Sequence, residues 1–143
     1  MKIYSKFILL ATFLAFSQIS IAQSKAQVEM IQSGTINPRT GDITWSKAIE
    51  TDLIMTFQGS NIYIDDNANT HIRTYGEREE YNGVNGEGES FTRSTWSAYD
   101  ERGRSCNFIM MFFKDMNLSV YAIMYNDIAF RYYMKKPLSN FNL

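Results

Sequence analysis

A single histidine, His71, and a single cysteine, Cys106, bound what side chains that titrate or attack near neutral pH can do in this chain. A Ser-His-Asp arrangement would have to be assembled around His71, and no nucleophile motif accompanies it. Tetrahedral zinc sites need several Cys or His ligands, and one of each does not supply them. Carboxylates are more plentiful. Asp65, Asn67 and Asn69 stand at i, i+2 and i+4, the spacing with which calcium loops present oxygens, but Thr70 stands where such a loop needs glycine and Gly76 where it needs its closing glutamate. Asp and Asn side chains also bond to their own backbone in tight turns, and an Asp/Asn-rich hairpin turn accounts for the same residues. Glu77, Glu79, Glu80, Glu87 and Glu89 share one segment with Arg78 as its only cation, a pattern read as a solvated face. A hydrolase working through paired carboxylates would draw on these acidic segments and is the third functional reading. No metal and no cofactor is expected.

Binding chemistry is better represented near the C-terminus. Tyr121, Tyr125, Arg131 and Tyr133 are read as one aromatic and basic face, opposite Val120, Met124, Phe130 and Tyr132. Tyr and Arg combine apolar area with polar tips and are enriched where proteins meet partners. These four residues are the candidate ligand or partner site.

The elements that position them follow a period of two. Leu53, Met55 and Phe57 alternate with polar residues, Gly59 and Ser60 reverse the chain, and Ile62 and Ile64 continue the pattern. Residues 71–75 and 91–99 read as strands, and 106–113 is apolar on both faces, as a doubly buried strand would be. Residues 118–125 and 128–134 are joined by Asn126-Asp127, a two-residue reversal. Residues 28–33 and 42–45 flank a Pro38 and Gly41 turn, 46–51 reads as loop, and 77–90 as a long hairpin loop or a fraying strand extension. Lys135-Lys136-Pro137 ends the last strand. The expectation is an all-β, antiparallel up-and-down meander of eight or nine short strands, forming a small closed or half-open barrel, with a two-sheet sandwich as the alternative. Phe57, Phe108, Met110, Phe112, Met124, Phe130 and Tyr132 are expected to fill its interior, because a small barrel has room for side chains or one small ligand.

Residues 1–22 read as a cleaved export signal: Lys2 and Lys6 precede an apolar run at 7–16, and Ser20 and Ala22 are small residues where a signal peptidase reads. Gln23, in place of cysteine, follows the expected cleavage point, which excludes a lipid anchor there. The remaining residues, 23–143, form one domain of exported protein, periplasmic or extracellular. Of 14 Lys and Arg and 15 Asp and Glu in the chain, loss of Lys2 and Lys6 leaves twelve cations against fifteen anions, net −3. That balance argues against nucleic acid or an anionic membrane as partner. Cys106 lies in an apolar strand and is read as a small buried hydrophobe rather than a nucleophile.

Consecutive short strands, an export signal and a tryptophan close to the first strands, Trp45 with Gly41 four residues before it, give an architectural resemblance to the calycin group, the lipocalins and fatty-acid-binding proteins. The resemblance implies a barrel that holds a small apolar ligand. It carries no site residues across, because Gly-x-Trp and the paired cysteines of lipocalins have no counterpart in this chain. The functional expectation is a non-catalytic secreted binding domain, whose outer aromatic face or open end meets a protein, a glycan or a small apolar molecule. A lipocalin-like carrier is the runner-up.

Overall fold

Alternating apolar and polar residues build an all-β fold. The structure is a computed structural model and describes residues 23–134. The expected export signal and the stop at Lys135, Lys136 and Pro137 lie outside the described residues. Strands β1 (Gln23–Gln27), β2 (Met30–Ile36), β3 (Ile43–Trp45) and β4 (Ile49–Glu50) open the chain. A meander follows through β5 (Ile54–Gln58), β6 (Asn61–Ile64), β7 (His71–Val84), β8 (Ser90–Asp100), β9 (Ser105–Phe113), β10 (Leu118–Met124) and β11 (Ile128–Met134).

All pair antiparallel in one sheet ordered β1-β5-β6-β7-β8-β9-β10-β11-β2-β3, with β4 also on β2. The hydrogen-bonded ladder does not close on itself. Its two sides are joined by the chain, because only Val28 and Glu29 separate β1 from β2. The Val28 N–H donates to the Leu53 carbonyl at 2.8 Å, and the next N–H, that of Glu29, donates to the Tyr133 carbonyl at 2.9 Å. Within one residue the chain passes from the β5 side to the β11 side, and the expected half-open barrel is the result.

Among the described residues the strands number eleven, rather than the expected eight or nine. β1 carries Gln23, Ser24, Lys25 and Gln27 and has no alternation to read; its pairing with β5 forms it. The acidic segment is mostly strand: β7 runs on to Val84, with residues 79–84 paired to residues 90–95 of β8. Two extra residues on β7 between Tyr75 and Glu79 shift the register, and Gly76 absorbs the distortion at φ +74°, a conformation glycine adopts at little cost. The turn at 65–70 is held by Asp66, whose carboxylate accepts from the Thr70 N–H at 2.9 Å and the Thr70 hydroxyl at 2.6 Å. That is the Asp/Asn turn the sequence suggested.

Inward-facing residues of the meander make the core. Trp96, Phe108, Tyr121 and Phe57 stack across the middle, with ring centroids 5.9 Å apart for Trp96 and Phe108, 5.8 Å for Phe108 and Tyr121, and 5.4 Å for Phe57 and Tyr121. Met55, Ile62, Ile64, Ile72, Ile123 and Val28 surround them, all essentially buried. Each such side chain contributes about 1.5–3 kcal/mol by leaving water. Cys106 belongs to this core, and burial pushes its thiol up to about 11.

Candidate functional site

The turns of a meander fall alternately at its two ends. Turns at 65–70, 101–104 and 126–127 lie at one end, and those at 59–60, 85–89 and 114–117 at the other. Inward residues are therefore layered along the barrel. On β10, Tyr121 belongs to the aromatic core, Ile123 stands one layer higher, and Tyr125 reaches the first end just past the strand. The segment at β5 repeats the order, with Phe57 and Met55 in the core and Leu53 above them.

Above the aromatic layer the barrel is hollow. A cavity of about 400 Å³ opens at the first end, within the range typical of small-molecule sites. Ile31, Leu53, Ile123, Phe130 and Tyr132 form its apolar wall, and Asp66, Glu101, Arg102 and Arg104 stand at its mouth. The segment after β3 brings Ser46 and Ile49 over one side. The expected filling of the interior holds for the middle of the barrel, while Phe112 borders an open pocket at the far end. Tyr132 belongs to the buried core and Phe130 packs against it, yet both also border the cavity, and Met124 points outward, opposite Asn107 and Ala129.

Asp100 organises the mouth. It is 4% exposed, and its carboxylate accepts four hydrogen bonds. One oxygen takes the N–H of Arg102 at 3.0 Å and of Arg104 at 2.9 Å. The other takes the Arg104 Nε–H at 2.8 Å and the Tyr125 hydroxyl at 3.0 Å. Burial by itself would raise this carboxyl's pKa; the Arg104 backbone and guanidinium, the Tyr125 hydroxyl and the Arg102 N–H together outweigh it and hold it below the ordinary aspartate value. The Arg104 guanidinium also lies over the Tyr125 ring, 4.6 Å from its centroid. Tyr125 is thus pinned at both its edge and its face. Its phenol is raised well above the ordinary range, by burial first and then by the bond to Asp100.

The four candidate residues do not share a face. Across the β10 to β11 hairpin, Tyr121 stands opposite Tyr132, Val120 opposite Tyr133 and Ala122 opposite Arg131. Tyr121 and Tyr125 therefore point inward, while Arg131 and Tyr133 point outward. The two-residue turn pairs an odd-numbered residue with an even-numbered one, so residues of like parity on the two strands lie on opposite faces. Tyr121, 1% exposed, is core. Tyr125 is at the cavity mouth. Arg131 lies over the Trp45 ring at 3.6 Å and donates to the Tyr133 hydroxyl at 3.4 Å; that hydroxyl donates in turn to the Gln32 side-chain oxygen. Trp45 lies against Gly34, where a Cβ would come within 2.8 Å of its ring. Arg131 and Tyr133 thus brace a patch on the outer wall rather than form an open aromatic platform.

The remaining chemistry-bearing residues are dispersed. His71 stacks on Tyr63 with centroids 4.5 Å apart and has its Nε2 2.9 Å from the Asn61 side-chain oxygen. Glu89 bonds to Asn85 in the far-end turn, and Glu80 to Arg78 on β7. Among the described residues no cluster of His, Cys, Asp and Glu is placed to hold a metal ion. None of them forms a helix long and apolar enough to cross a membrane.

Sequence reasoning missed Asp100, Arg104, Leu53 and Ile31 as site residues. Asp100 was legible only as part of a turn, and its bond to Tyr125 spans 25 residues. Comparison of the chain with protein-family models, curated proteins and solved structures gave no match.

Proposed function

We propose that this is an exported, non-catalytic binding domain that holds a small, predominantly apolar molecule in the open end of its barrel. The observation that carries the reading is the cavity of about 400 Å³, walled by apolar side chains and bordered by charged ones. Apolar concavities with a few placed polar groups are the usual form of small-molecule sites. The aromatic layer beneath gives it a rigid floor, and the Asp100 network fixes one side of its mouth. This reading joins the open-end binding expected from the sequence with the carrier role that a calycin-like barrel implies. It is favoured over docking through the outer aromatic face because Arg131 and Tyr133 are engaged with Trp45 and Gln32. Export rests on the reading of residues 1–22.

Native mass spectrometry of the protein purified from its exported fraction tests the proposal. A co-purifying small molecule that leaves on mild activation and partitions into organic solvent is expected. Unliganded protein that also fails to take up any apolar molecule added in excess would overturn it.

A further inference from the structure

The cavity contains one polar group whose hydrogen bonding is incomplete. Tyr132 is 6% exposed and lines the apolar wall. Its hydroxyl has no hydrogen-bond partner among the described residues, and it is not sealed away, because no fully buried side-chain oxygen or nitrogen there lacks a partner. It therefore opens onto the cavity. The neighbouring phenols differ: Tyr125 donates to Asp100 and Tyr133 to Gln32. A purely apolar ligand would strip water from this hydroxyl and leave it unpaired, whereas a ligand that supplies an acceptor avoids that penalty.

The surroundings select among acceptors. Tyr132 is held well above the ordinary phenol range, by burial first and by the Asp66 charge second, so it remains a protonated donor. Both Asp66 oxygens accept from Thr70, which fixes a negative charge at the mouth close to this hydroxyl. A carboxylate seated against Tyr132 would meet that charge. An ammonium would have to lose its water inside an apolar wall. An uncharged oxygen meets neither penalty.

We propose that the ligand is an uncharged molecule with an apolar body and one hydrogen-bond acceptor, a ketone, ester or amide oxygen, which accepts a hydrogen bond from the Tyr132 hydroxyl at the cavity wall. This rests on the reading of the cavity as a binding site, and it specifies the ligand's chemistry.

The test is displacement of a hydrophobic fluorophore from the purified protein by octan-2-one, octane and octanoate, repeated with Tyr132→Phe and with Asp66→Asn. The ketone should displace on the order of three- to tenfold better than octane, as expected for one net hydrogen bond, and better than octanoate. Tyr132→Phe should remove the preference for ketone over octane, with octane displacing at least as well as from wild type. Asp66→Asn should narrow the gap between ketone and octanoate. Equal displacement by ketone and octane, a preference that survives in Tyr132→Phe, or octanoate as the tightest of the three would each overturn the inference while the cavity reading stands. A wild-type protein that binds neither the fluorophore nor any of the three would overturn both.

Discussion

Replacing Asp100 with alanine removes one acceptor that serves four donors, and the geometry allows the loss to be divided. The oxygen that takes the Arg102 and Arg104 N–H groups shapes the turn between β8 and β9, while the other ties Arg104 and Tyr125 to the mouth. Hydrogen bonds to a charged group contribute about 1.5–3 kcal/mol each when their donors have no alternative. Two features reduce the sum. The Arg104 side chain is 57% exposed, so water replaces much of its pairing, and the turn N–H groups of exposed residues can also be hydrated. Tyr125, half-buried, is less well compensated. We expect Asp100→Ala to cost about 3 kcal/mol, a sizeable part of the roughly 5–15 kcal/mol of a typical domain, and to lower the melting temperature by about 12 °C. Asp100→Asn retains an oxygen for the two backbone donors and opposes an NH2 group to Arg104, so about half that loss is expected. Because the folded-state pKa is depressed, Asp100 stabilises the fold above its unfolded value of about 3.9, and this contribution disappears as pH falls through the lower folded value. Urea unfolding at neutral pH and again well below pH ~3.9, past the depressed folded value, gives the readout. Wild type and Asp100→Ala should converge in stability at the acid end. A cost below about 1 kcal/mol for alanine, or equal costs for alanine and asparagine, would refute the division of labour between the two oxygens.

Three further outcomes follow from packing. Gly34→Ala places a Cβ 2.7 Å from the Ile43 side chain and 2.8 Å from the Trp45 ring; it should cost about 1–3 kcal/mol in thermal unfolding and shift tryptophan emission as Trp45 leaves Arg131. Tyr121→Ala should lose about 3–5 kcal/mol by emptying the aromatic layer, whereas Tyr133→Ala on the outer wall should lose about 1 kcal/mol, as urea midpoints would report. The Cys106 thiol, raised to about 11, should be silent towards a thiol reagent at pH ~8 in the folded protein and react fully once urea unfolds it.

What the sequence discloses and what it conceals separate along physical lines. Leu53, Met55 and Phe57 alternate in plain view, and their face lies inward as the period of two requires. Asn126-Asp127 was recognisable as a reversal, yet the face shared by its two strands depends on cross-strand parity, which placed Tyr121 and Tyr125 inside and Arg131 and Tyr133 outside. β1 is invisible to periodicity because Gln23, Ser24, Lys25 and Gln27 owe their strand to β5. Glu79 and Glu80 have the composition of a loop, and pairing with Thr95 and Ser94 of β8 overrides it. Whether Phe130 and Tyr132 fill the barrel or line a hollow is not a property of either residue. It depends on how high the layer of Trp96, Phe108, Tyr121 and Phe57 reaches.

Binding of an apolar molecule in the open end of the barrel is tested by fluorophore titration of wild type against Ile31→Trp and Leu53→Trp. These two variants fill the cavity from β2 and from the segment just before β5, and leave the aromatic layer untouched. Saturable binding to wild type, weakened about tenfold or more in both variants while their melting temperatures stay within a few degrees, is the predicted result. Equal binding in all three proteins would place the fluorophore outside the cavity and contradict the account.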